Sequence, residues 1–259
     1  MGSAVTRALG LLEHLVGRPE GVALTEIVEA TGLPKSATHR TLVELIDAGH
    51  VRQDQVLGKY MLTLKFVSLG LRHVSSVELV DLAKPMLETL AVEAGALVRL
   101  SLVDGGQLVF VSRFQGARTG LRYDPDHGGT AHLASSASGH AWLSRLDIDR
   151  ALSYVFAQGF ETVGERGPDA PRTGDELRPL LEQAKADGYA EVENSYEIGT
   201  SAIASPILNR VGEVVGVVSI AGPTTVLDAE RRGELAAPLL EVTAQLSALD
   251  LPVAAAAIG

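Results

Sequence analysis

The sequence predicts an α+β chain: a small winged helix-turn-helix unit, a linker helix, and a larger α/β unit in which hairpin strands are flanked by helices. Three observations predict it. Three short amphipathic segments, with a glycine turn between the second and third, run straight into a hairpin pattern. Further on, two more strand pairs stand among helical stretches, and no glycine-rich nucleotide signature separates them.

Residues 5–16 place Ala8, Leu9, Leu12, Leu15 and Val16 at helical spacing, and the breakers of "GRPEG" end that run. A second helix over 24–30 turns Leu24, Ile27 and Val28 inward, and Thr31-Gly32 closes it because glycine accepts the left-handed backbone of a helix end. Pro34 suits the first turn of a third helix, where its missing N–H costs nothing. On a helical wheel Thr38, Thr41, Leu42, Leu45 and Ile46 share one side of this helix; Ser36, Arg40, Val43 and Asp47 share the other, with His39 at the border. Gly49 ends it. "HVRQDQVLGKYML" then reads as a strand, a turn at Leu57-Gly58 and a returning strand, a wing with Arg52, Lys59 and Tyr60 on or near its tip.

An apolar pattern over 62–73 predicts a connecting helix with a break near 74–76, followed by the first helix of a second domain with Pro85 in its first turn or at a kink. "LVRLSLVDGGQLVFVSR" is a hairpin turning at Asp104-Gly105-Gly106. Helices follow at "SSASGHAWLSRL", over 147–158 and over 175–187, the last stopped by Gly188, with a breaker-rich loop "VGERGPDAPRTG" before it. Strands near 202–208 and 214–221 are joined by "NRVG", and a final helix over 228–249 is interrupted by Pro238. The expected organisation is 1–61 for the winged helix-turn-helix unit, 62–76 for the linker helix, 77–250 for the larger α/β unit and 251–259 for a frayed tail.

Composition bounds the function. The chain has 259 residues, 46% of them hydrophobic, enough for two proper cores. Cysteine is absent, which removes disulfides and thiolate metal sites and fits a reducing cytoplasm. No targeting segment and no apolar run of membrane-spanning length is expected. The net charge of −10 speaks against a nucleic-acid binder, yet residues 1–66 carry seven basic side chains (Arg7, Arg18, Lys35, Arg40, Arg52, Lys59, Lys65) and seven acidic ones. The remaining 15 basic and 25 acidic side chains hold the entire excess, and His14, His39 and His50 add partial positive charge to the neutral quarter. A third helix that exposes Ser, His and Arg on its first turns is built to enter a major groove, where guanidinium groups read guanine edges and hydroxyls reach phosphate or base.

Other readings are weaker. "SSASGHAW" brings Ser and His together but lacks the G-x-S-x-G elbow that a serine hydrolase of this type needs. Asp124, Asp126, His127 and His132 have the chemistry of a cation site, although "DPDHGG" is ordinary turn composition. A winged unit that binds protein instead of DNA is the remaining class, and it would lack the steep salt dependence of operator binding. No enzyme, cofactor or metal is expected.

The chain resembles the isocitrate lyase regulator (IclR) family of bacterial transcription factors. The resemblance rests on "VTRALGLLEHL", "LTEIVEATGLPKSATHRTLVELIDAGHV", "GKYMLTLKFVSLG", "ASSASGHAWLSRL", "DGYAEVENSYEIGTSAIASPI" and "VVGVVSIAGP", six segments in the family's order and spacing. It implies a homodimer or homotetramer that reads a palindromic double-stranded DNA operator, with a GAF-like C-terminal domain binding a small organic acid. By that likeness Lys35, Ser36, Thr38, His39 and Arg40 are the recognition-helix candidates, and Arg52, Lys59 and Tyr60 those of the wing. The effector positions it implies are Gly120, Tyr123, Ser136, Ala137, Ser138, Val192, Ala202, Ser219 and Ala221. Ser136 and Ser138 either bind a carboxylate at a helix start or simply cap that helix. The chain departs from its relatives at Ala134, where many have His, at His140, where they have Lys or Arg, and at Ser195, where an acid is common. Small or apolar residues at Ala137, Val192, Ala202 and Ala221 point to a roomy pocket for an aromatic or larger aliphatic acid.

Overall fold

The computed structural model describes residues 3–74, 78–123, 129–160 and 166–250. The chain divides into two compact units, residues 1–76 and 77–259.

In the first unit α1 (Ala4–Leu15), α2 (Leu24–Thr31) and α3 (Lys35–Asp47) precede an antiparallel hairpin of β1 (Val51–Gln53) and β2 (Tyr60–Leu62). Leu11, Leu15, Ile27 and Leu42 meet Val22, Val51 and Tyr60 in its core. Of the positions expected inward in and after α1, Leu12 and Leu15 are buried, whereas Leu9 and Val16 are exposed and Leu11, not among those expected, takes the inner place. Ser3 starts α1 by accepting a hydrogen bond from the Thr6 N–H, and Gly32, at φ +65°, ends α2 in the left-handed conformation that glycine adopts freely. Lys65 reaches back to donate to the Ala48 carbonyl at 2.6 Å, satisfying one of the free carbonyls at the end of α3.

The linker helix α4 spans Lys65–Val74, and none of its side chains is buried within the chain. The expected domain edge at residue 61 falls inside strand β2, because the backbone of Tyr60 pairs with Val22 and ties the whole hairpin to the helices. Of the expected break, Val74 is still helical and residues 75–76 lie outside the described residues, as does the tail over 251–259.

The second unit begins with α5 (Glu78–Ala94), then β3 (Leu97–Asp104) and β4 (Gln107–Gln115). Gly105 and Gly106 form their two-residue turn, both with positive φ, as a type I′ hairpin turn requires. Then come α6 (Ala137–Leu143), α7 (Ile148–Gln158), α8 (Gly174–Asp187), β5 (Ala190–Glu193), β6 (Thr200–Leu208), β7 (Val214–Pro223) and α9 (Ala229–Ala248). The strands form one antiparallel sheet in the order β4-β3-β7-β6-β5.

Alternation along the strands assigns the two faces. Ser205 of β6 hydrogen-bonds Thr243 of α9, and α5 packs on α9 and β3, so these helices cover one face. Ala204, its neighbour, packs in a cluster with Ala137, Ala141, Leu177 and Leu181, so α6 and α8 cover the other.

Three expectations need correction. Strand β5 was not anticipated; four residues are too short for a period-2 signal, and only the ladder with β6 reveals them. Pro85 lies inside α5, beyond its first turn, and Pro238 lies inside α9 without dividing it. Each proline forfeits one backbone hydrogen bond, and packing of these two helices on each other and on the sheet outweighs that loss.

Candidate nucleic-acid interface and effector cavity

In the first unit, α3 buries Thr38, Thr41, Leu42 and Leu45 and exposes Lys35, Ser36, His39, Arg40 and Val43. Its N-cap is Pro34, which offers no side-chain acceptor, and its first turn contains no acid. The first N–H groups and the positive end of the helix dipole are therefore available to an anion beside Lys35 and Ser36. Arg40 stands 4.0 Å from Glu44, with both side chains largely exposed, a pairing that contributes little and leaves the guanidinium mobile.

Two of the expected DNA contacts are structural. Thr38 is fully buried and its hydroxyl donates to the Pro34 carbonyl at 3.1 Å, so it shapes the helix start from inside. Tyr60 is buried in the core beneath the hairpin, and burial also pushes its phenol pKa up. Arg52 is exposed and Lys59 half-buried. The wing tip itself is apolar: Val56 and Leu57 are exposed, held by Asp54 Oδ1, which accepts from both their N–H groups at 2.8 and 2.6 Å.

In the second unit a cavity of about 40 Å³ opens on the α6 face of the sheet. Strand register builds its floor. One row runs Val192, Ala202, Ala221 across β5, β6 and β7; the next runs Ala204, Ser219, Arg99 across β6, β7 and β3. Ser136, Ala137 and Ser138 close one side, and Phe110, Tyr123 and Tyr196 another. Of the positions the resemblance implied, eight line this cavity together. Gly120 does not: it is exposed, with φ +83°, and serves the chain reversal before Tyr123. As it stands the cavity is smaller than one of about 150 Å³ that holds a benzene.

The Ser136 hydroxyl accepts from the Gly139 N–H at 3.0 Å, so it caps α6. His140 is wholly buried and donates from Nε2 to the Ala134 carbonyl at 2.6 Å, fixing the loop before α6 without facing the cavity. Gly139 is required there, because a Cβ would stand 2.3 Å from the Leu133 carbonyl oxygen. Burial pushes the Tyr123 phenol up to about 12, so it remains a hydrogen-bond donor at neutral pH. His132 is buried with Nδ1 2.7 Å from Ser135 Oγ. Asp124, Asp126 and His127 lie outside the described residues, among which no cluster of metal-ligating side chains occurs.

Sequence reasoning missed Arg99. It enters the cavity from β3 with Cζ 3.9 Å over the Phe110 ring centroid. Its signal was a lone arginine between Val98 and Leu100 in an otherwise apolar strand.

Two family models divide the chain between them: the IclR helix-turn-helix domain matches residues 4–55, and the bacterial transcriptional regulator IclR C-terminal domain matches 71–248. The chain belongs to the IclR family. Among curated relatives, this IclR regulator is 27% identical to the acetate operon repressor of Salmonella typhimurium over 94% of its own length and 88% of that protein. An IclR regulator from Alicyclobacillus acidocaldarius shares the fold, with a TM-score of 0.81 at 24% identity over 96% of this chain and 99% of that one. So does an IclR homologue from Microbacterium hydrocarbonoxydans crystallised with 4-hydroxybenzoate, at 0.78, 21% identity, 95% of this chain and 98% of that one. This IclR regulator is thus a DNA-binding transcriptional regulator with a ligand-binding C-terminal domain. No helix among its described residues is long and apolar enough to cross a membrane.

Proposed function

We propose that this regulator acts in the cytoplasm as a repressor that binds a palindromic operator as a homo-oligomer and answers to a small organic acid held in the sheet cavity. The observation that carries the reading is the division of labour in α3: its apolar side packs the core, while Lys35 and Ser36 are exposed on an uncapped, acid-free first turn and His39 and Arg40 are exposed on the next. Arg52 and Lys59 on the wing supply further phosphate contacts. A homodimer is supported by α4, which leaves Val67, Leu69 and Leu71 exposed at helical spacing. A twofold protein places two such α3 helices on half-sites about one DNA turn apart.

Control follows by linkage. An acid that binds the operator-competent and operator-incompetent arrangements unequally shifts operator affinity by the same factor, typically by about 1–3 kcal/mol. The α4 segment is the covalent path between the units. Ala137, Val192, Ala202 and Ala221 give the cavity an apolar wall that favours an aromatic or larger aliphatic acid. The 4-hydroxybenzoate in the Microbacterium homologue supports this class. Calorimetry that finds only two- or three-carbon acids bound removes the larger class.

The DNA-binding reading is tested by titrating fluorescent promoter fragments over a range of salt. Operator binding is expected to weaken with a slope near −0.9 per phosphate contacted on logarithmic axes. A flat salt response assigns the winged unit to a protein partner instead.

A further inference from the structure

We propose that Arg99 and Ser219 form the anion anchor of the cavity, and that this pair, not the start of α6, selects a monoanionic carboxylate. The proposal deepens the effector reading above and rests on it.

Arg99 and Ser219 are direct cross-strand partners in the β3–β7 ladder, so both side chains leave the same face of the sheet and enter the same cavity. Among the described residues each carries a buried polar atom without a hydrogen-bond partner: Nε of Arg99 and Oγ of Ser219. Ser219 is 1% exposed, so its hydroxyl meets only what enters the cavity. The ionisable groups that act on Arg99 are the phenols of Tyr123 and Tyr196. Burial pushes the Tyr123 phenol further from ionising.

A guanidinium placed in a cavity without a counter-ion bears a desolvation penalty that an anion removes. Phe110 lies across one face of the Arg99 guanidinium, which blocks that face and leaves the N–H donors directed around its edge. A carboxylate meets those donors with one oxygen on Nε–H and takes the Ser219 hydroxyl with the other, as charge-assisted hydrogen bonds prefer. Among the described lining residues Arg99 is the one permanent cation, so a monocarboxylate is matched and a dianion is left with an uncompensated charge. The alternative carboxylate seat, the start of α6, is already closed on one side because Ser136 spends its hydroxyl on the Gly139 N–H.

The experiment is isothermal titration of the full chain and its Arg99→Met variant with acetate, pyruvate, benzoate and 4-hydroxybenzoate, each beside its neutral amide. Methionine keeps the packing on Phe110 and removes the charge. For whichever acid binds the wild type, the amide is expected not to bind. Arg99→Met is expected to lose about tenfold or more in affinity for that acid. Its melting temperature without ligand should equal or exceed that of the wild type, since an unpaired buried charge has gone. Ser219→Ala is expected to weaken the same acid less, by about three- to tenfold. Equal binding of acid and amide, unchanged affinity in Arg99→Met, or no binding by any of the four acids overturns the anchor. If an acid binds through Arg99 but leaves operator affinity unaltered, the anchor stands and the proposed control of operator binding fails.

Discussion

His140 has no exposed surface to speak of, at 1%, and its ring is held by the 2.6 Å bond to the Ala134 carbonyl. Burial pushes its pKa down to about 4, with the nearby His132 acting in the same direction and the Ala134 bond opposing. In the unfolded chain the ring titrates near its ordinary 6.5, so between about 4 and 6.5 the unfolded state binds the proton more readily. The stability this gives is fully present above pH 6.5 and is lost as pH falls toward 4, about 3 kcal/mol over the whole window. Melting temperatures of the wild type should therefore drop through that range, and His140→Gln, which retains a donor for Ala134, should show a shallower drop. Parallel curves for the two proteins would assign the acid sensitivity elsewhere. The same scale shows where sequence reading stops. The helical wheel placed Thr38 on the inner side, and only its burial removes it from the DNA-facing set. Arg99 was invisible as a site residue because its partner Ser219 is supplied by a strand far along the chain, and local pattern carries no information about that register.

The wing is the element whose character changed most between sequence and structure. Arg52 and Lys59 predicted a basic tip, whereas the structure puts them on the arms and gives the tip to Val56 and Leu57. Asp54 organises that tip, and its two backbone hydrogen bonds hold its carboxyl below the usual aspartate range. Asp54→Ala is expected to leave the melting temperature nearly unchanged, since the turn is exposed, while weakening operator binding severalfold in an anisotropy titration through loss of wing order. Unchanged affinity would show that the wing tip takes no part. Helices were legible because their apolar spacing and glycine stops are local signals, and the hairpin turn at Gly105-Gly106 was legible for the same reason. Strand β5 was not, because its existence depends on β6 and on Arg232 of α9, which bonds Glu191 and Glu193 from behind. The prolines of α5 and α9 misled because a propensity rule met two helices whose packing overrides it.

At the scale of the molecule, the charge division explains how an acidic protein serves an acidic polymer. The −10 resides wholly beyond residue 66, so the residues that carry α3 and the wing are balanced in charge and their exposed cations act locally. The two-unit organisation and the family were legible in the order of six motifs. Assembly belongs to this scale too. Leu69→Glu on α4 places a charge in the exposed apolar stripe and is expected to shift the protein toward monomer in sedimentation, with operator affinity falling in step. A dimer that withstands this change puts the subunit interface elsewhere.

The most direct test of the whole account is the discrimination of the wild type and Arg40→Ala between a fragment of the regulator's own promoter and an unrelated duplex of equal length, read by anisotropy at one fixed salt concentration. The account expects the wild type to prefer its promoter by at least about a thousandfold, and Arg40→Ala to lose most of that preference while binding both duplexes weakly. Full selectivity in the variant, or no preference in the wild type, contradicts the placement of α3 in the groove.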